Sequence, residues 1–138
     1  MKNKLLPALI LCIAGTANAQ TRYITDANIQ AQFTGYKEVY FGDHLPETRV
    51  YFVKFEDPDL EGQTFCSPDG TACAIELADW QRHHVNAACE TLLHEMSHES
   101  VWSQTHNLKG IEIEDAHGIH WLREMHRLMA AGAFDDIL

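Results

Sequence analysis

Three observations predict a single α+β domain. Val85, Cys89, Leu92 and Met96 recur at i, i+4, i+7 and i+11, an apolar stripe with the period of a helix. Upstream, Thr48 to Phe55 is rich in Val, Tyr and Phe and reads as a strand, and the segments 62–66 and 72–77 flank Pro68-Asp69-Gly70, a strong turn signal. Near the end, Trp121, Leu122, Met125, Leu128 and Met129 form one face of a closing helix. An N-terminal helix, a small antiparallel sheet, a central helix and a C-terminal helix together make an α+β architecture.

The first residues read as a secretory signal. Lys2 and Lys4 form the positive region, Leu5 to Ala14 the apolar region, and Ala17-Asn18-Ala19 a small-x-small cleavage site. Cleavage after Ala19 is expected, with a secreted or periplasmic product. A lipoprotein reading of Cys12 fails because Leu11 stands where a small residue is required. No later apolar run approaches the length of a membrane span. Losing residues 1–19, which hold two lysines and no acid, would take the net charge from −10 to −12. So acidic a chain, without a basic cluster, is poorly suited to nucleic acid. Residues 20–138 suit one domain, without repeat or linker.

The remaining elements follow in order. Ile29, Phe33, Tyr36 and Tyr40 recur at helical spacing across 25–41, a helix weakened by Gly35. Pro46 breaks the chain before the 48–55 strand. Cys66 and Cys73 bracket the turn of the hairpin that follows, where an oxidising compartment would let them close a disulfide. Cys89, on the central apolar stripe, is expected as a core thiol. With three cysteines left after processing, a four-cysteine zinc ribbon is excluded. The central helix runs from about 85 to 103, residues 105–110 form a loop, and 111–114 alternate as a short extended piece. The last helix starts near 115 or 116 and ends near 131.

The chemistry is concentrated at His94-Glu95-Met96-Ser97-His98. Histidines four apart lie one turn above each other on a helix face, so both imidazoles can reach one tetrahedral Zn²⁺. Glu95 is turned about 100° round the helix from His94, where it can take a proton from water beside the metal. The spacing thus points to zinc-assisted hydrolysis with Glu95 as its base. Catalytic zinc usually has a third protein ligand. The completion His-Glu-x-x-His-x-x-Gly-x-x-His is excluded, since Val101 and Gln104 stand at its glycine and histidine. A distal glutamate, Glu112 or Glu114, stays open. So does His117, which lies four residues before Trp121 and shares the inward face of the last helix.

The segment 91–98, followed by Asp115-Ala116-His117-Gly118-Ile119-His120-Trp121, resembles the SprT-like zinc metallopeptidases. Val39-Tyr40-Phe41-Gly42-Asp43-His44-Leu45-Pro46 is similar to the family's aromatic-Gly-x-x-Leu-Pro stretch. The resemblance implies a zincin-like fold over residues 20–138, one Zn²⁺ per chain, His94, His98 and His117 as ligands, and Glu95 as base. Glu99 departs from the family's usual small residue and predicts a more acidic cleft wall; His120 replaces a common acid. For an oxyanion donor, His120 and His106 are candidates, and Glu90, one turn before His94, is a candidate to orient it. His83, His84 and His126 read as surface residues.

The expected activity is a zinc endopeptidase. An exposed edge at strand 72–77 would take extended or unfolded polypeptide as an added strand. The alternatives are a zinc amidase acting on cell-wall peptide and a catalytically silent zinc-binding module. The sequence leaves the oligomeric state open.

Overall fold

The structure, a computed structural model, describes residues 23–42 and 44–137. The expected signal at 1–19 lies outside the described residues. Helix α1 (Asp26–Tyr36) begins where Thr25 caps it: the Thr25 hydroxyl accepts from the Asn28 amide and Asn28 Oδ1 accepts from the Thr25 amide. Ile29, Phe33 and Tyr36 are buried, and Gly35 does not interrupt the helix. Residues 37–41 widen into a π-helical turn that ends at Gly42, whose φ of 58° suits glycine. The helical segment therefore covers the expected 25–41, with a change of pitch after Tyr36.

Three strands follow, β1 (Glu47–Val53), β2 (Gly62–Cys66) and β3 (Ala72–Ala78). Their order is β1-β3-β2. β2 and β3 form the expected antiparallel hairpin, with Cys66 opposite Cys73 and the two joined by a disulfide. β1, however, pairs parallel to β3, from Glu47 opposite Ala72 to Val53 opposite Ala78. The sheet is therefore mixed, not antiparallel. Parallel neighbours need a long crossover, and residues 54–71, β2 included, supply it. This topology also corrects the expected edge: β3 is the central strand, and β2 is an edge. Val50, Phe52, Ile75 and Leu77 face the core from the sheet.

A 3₁₀ turn at Asp79–His83 leads into helix α2 (Val85–Ser100), which is followed by the short helix α3 (Trp102–Thr105). The stripe Val85, Cys89, Leu92 and Met96 is buried, as its period requires. Cys89 sits in the core but is disulfide-bonded, so it is not the expected thiol. Between α3 and the last helix, His106 pairs with Glu112 in an isolated antiparallel bridge, the remnant of the expected extended piece.

Helix α4 runs over Ile119–Ala130, three or four residues later than expected. Asp115 explains the delay: its side chain accepts from the His117 amide and its carbonyl from the Gly118 amide, closing a turn ahead of the helix. Its predicted apolar face is only partly covered. Leu128 is fully buried, whereas Leu122 and Met129 are exposed. Beyond α4, Phe134 and Ile137 fill part of the core. Among the described residues no helix is long and apolar enough to cross a membrane.

Candidate metal centre

α2 carries His94 and His98 half-buried on the side away from the core stripe. Their Nε2 atoms are 3.2 Å apart, and His117 Nε2 is 3.2 Å from His94 Nε2. The three rings offer one nitrogen each, all within 4.8 Å of one another, and could hold a metal ion. Tetrahedral zinc with imidazole bonds of about 2.0–2.1 Å would set its ligand nitrogens about 3.3–3.4 Å apart, so this spacing fits the group. Burial, aided by the neighbouring imidazole charges, pushes the pKa of His94 and of His98 down to about 4. At neutral pH both rings therefore present lone pairs, as ligation demands.

His117 comes from the turn ahead of α4 rather than from the helix, and it is exposed. Gly118 allows that turn, because a Cβ there would stand 2.9 Å from the Asp115 carbonyl and 3.2 Å from Glu114 Cγ. Trp121, in the first turn of α4, packs against all three imidazoles at ring-centroid distances of 4.7 to 5.5 Å. Its Nε1 reaches the His94 carbonyl at 3.4 Å. The indole thereby ties α4 to α2 at the histidines.

Glu95 is 5% exposed and lines the cleft beside the histidines. Thr64 on β2 approaches it twice, at 2.6 Å to Oε2 and 3.0 Å to the backbone carbonyl. Burial pushes the Glu95 pKa up to about 7, against the opposing pull of the Thr64 hydrogen bond. Gly62 is what lets β2 come so close. A Cβ there would meet Thr91 Cγ2 at 2.7 Å and Glu95 Cγ at 3.2 Å.

The cleft measures about 500 Å³ and is lined by residues 59–64, by the three histidines and by Trp102, Thr105 and His106. Asp59, Glu61, Glu90 and Glu112 also line it, and none of them forms an ion pair among the described residues. No Lys or Arg among the described residues lines it.

The other sequence candidates separate clearly. His106 lines the cleft. His120 does not: its Nδ1 is held by the Glu114 carboxylate at 2.7 Å, which also withdraws Glu114 from the metal cluster. Glu112 lines the cleft without joining that cluster. Glu90 is exposed and makes no hydrogen bond to His94, so it does not orient that ring here. Glu99 points the other way from the expected cleft wall. It is buried against β1, bonded to the Thr48 hydroxyl, and does not line the cleft. His83, His84 and His126 are exposed. Sequence reasoning missed Thr64, since a threonine in a short strand carries no signal until the strand's neighbour is known. No protein-family model, curated protein or solved structure matches the chain.

Proposed function

We propose that the protein is a secreted or periplasmic zinc endopeptidase of SprT-like, zincin type, acting on extended or unfolded polypeptide. The observation that carries this reading is the convergence of three imidazole nitrogens in a cleft beside a buried glutamate. Zinc held by His94, His98 and His117 would supply a Lewis acid and lower the pKa of bound water. Glu95 then serves as the base. Thr64 holds Oε2, which leaves Oε1 to accept the proton of the attacking water and return it to the departing amine. A pKa near 7 suits a group that must both take and give a proton near neutral pH.

The polypeptide preference rests on β2. Its inner side pairs with β3, while its outer backbone edge carries no strand among the described residues, and Gly62 to Thr64 line the cleft. An extended segment can add there by backbone hydrogen bonds. The carboxylates around it favour segments with Lys or Arg.

The test pairs metal binding with hydrolysis. Zinc titration should give one ion per chain and raise the melting temperature by mass action, and His94→Ala should abolish the rise. The zinc-loaded protein should cleave denatured casein and stop when chelated. Zinc binding without proteolysis would contradict the reading, and release of peptide from peptidoglycan in that case would favour the amidase.

A further inference from the structure

His106 lies where α3 ends, with its ring flat against the Trp102 indole: centroids 3.6 Å apart, planes 7° from parallel. Its Nδ1 edge is committed to the protein, 2.8 Å from the buried Thr105 Oγ1 and 3.2 Å from the Trp102 carbonyl. That carbonyl already accepts from the His106 amide, and the Val101 carbonyl already accepts from the amides of Gln104 and Thr105. The shortest contact open to the Thr105 hydroxyl proton is therefore Nδ1 itself. With Nδ1 accepting, the neutral imidazole carries its hydrogen on Nε2. In the charged ring Nε2 carries one as well. In either state this nitrogen is a donor with no hydrogen-bond partner among the described residues, on the ring edge opposite Thr105, in a residue that lines the cleft.

We propose that His106 is a catalytic residue of this cleft, its Nε2–H donating to the substrate carbonyl oxygen as negative charge develops there. The proposal rests on the hydrolase reading and adds the group which that reading lacks. No proton is transferred; the hydrogen stays on Nε2 while the carbonyl carbon changes from planar to tetrahedral. Two features prepare the donor before substrate arrives. The Trp102 face fixes the ring plane, and Thr105 fixes its rotation, so little reorganisation is left for the reaction itself. His120, the other candidate from sequence, is spent on Glu114 and is absent from the cleft lining.

Two measurements test this, one of them independent of turnover. ¹⁵N NMR of the metal-free protein should show the neutral His106 ring protonated at Nε2; protonation at Nδ1 would overturn the proposal. Zinc-loaded wild type, His106→Ala, His106→Gln and His120→Ala are then compared on one casein-derived peptide and on its phosphinic analogue, which mimics the tetrahedral state. His106→Ala should lower kcat about 100-fold with KM and zinc content unchanged. It should weaken the phosphinic peptide far more than the parent peptide. His106→Gln should recover part of both, and His120→Ala should change neither. Equal weakening of both peptides, a loss explained by zinc release, or a change in KM alone would overturn it. Should wild type hydrolyse nothing, the hydrolase reading fails by itself, and the paired affinities still decide: selective weakening of the phosphinic peptide supports the donor, and equal affinity in wild type and His106→Ala, or no binding of it, overturns it.

Discussion

Helix α2 carries two buried glutamates one turn apart, and by most local measures they are twins. Glu95 is 5% exposed and Glu99 4%. Each is hydrogen-bonded to a threonine of the sheet, Glu95 to Thr64 on β2 and Glu99 to Thr48 on β1. Burial pushes the pKa of each up to about 7, with its threonine pulling the other way. Their surroundings nevertheless differ. Glu95 opens on a cleft beside three converging imidazoles, whereas Glu99 opens on the interior, where its Oε2 has no partner among the described residues. A perturbed carboxyl therefore does not mark a catalytic group here. The space in front of it does. What Glu99 contributes is a buried carboxyl, protonated below about pH 7, that links α2 to β1.

That contrast can be sharpened first through stability. Glu99 has a folded pKa near 7, above the 4.5 of an ordinary glutamate, so the folded state favours the proton. Its contribution is fully present below pH 4.5 and is lost as pH rises through 7. The loss is on the order of 3 kcal/mol over that window. Urea denaturation at stepped pH should show it, and Glu99→Gln should flatten that part of the profile. A profile unchanged by the substitution would break the account of Glu99.

A smaller effect is expected from Gly62→Ala. The new methyl must push Thr91 and Glu95 away from β2 on the cleft side of α2. The strain should lower stability by roughly 1–3 kcal/mol, readable as a drop in denaturation midpoint. Proteolysis should fall with it, because the methyl displaces Glu95 from its place beside the histidines. Unchanged stability would mean that β2 does not bear on Glu95.

The smallest is Thr64→Val. Thr64 holds the Glu95 pKa below the value that burial alone would give. Without it, the acid limb of the pH–rate profile should move to higher pH while the plateau rate persists. A limb that stays in place would assign the acid limb to another group.

Much of this was legible in periodicity. The stripe through Val85 and Met96 put His94 and His98 on the opposite side of the helix, and the turn at Pro68-Asp69-Gly70 placed Cys66 against Cys73. His117 was reachable from its spacing to Trp121, although the Asp115 turn, not the helix, presents it. What failed was information about neighbours. No pattern in β1 announces that it runs parallel to β3, and the sheet edge was misplaced for that reason. Glu99 was assigned to the wrong side because its partner, Thr48, lies 51 residues away and carries no signal of its own. His120 and His106 were indistinguishable until Glu114 and Trp102 were seen beside them.

The most direct measurement is the hydrolysis of denatured casein by zinc-loaded wild type, Glu95→Gln and Glu99→Gln, side by side and at equal zinc content. The account predicts cleavage by wild type and Glu99→Gln, and a loss of at least about 100-fold in Glu95→Gln. Equal rates in all three, or a loss confined to Glu99→Gln, would contradict it.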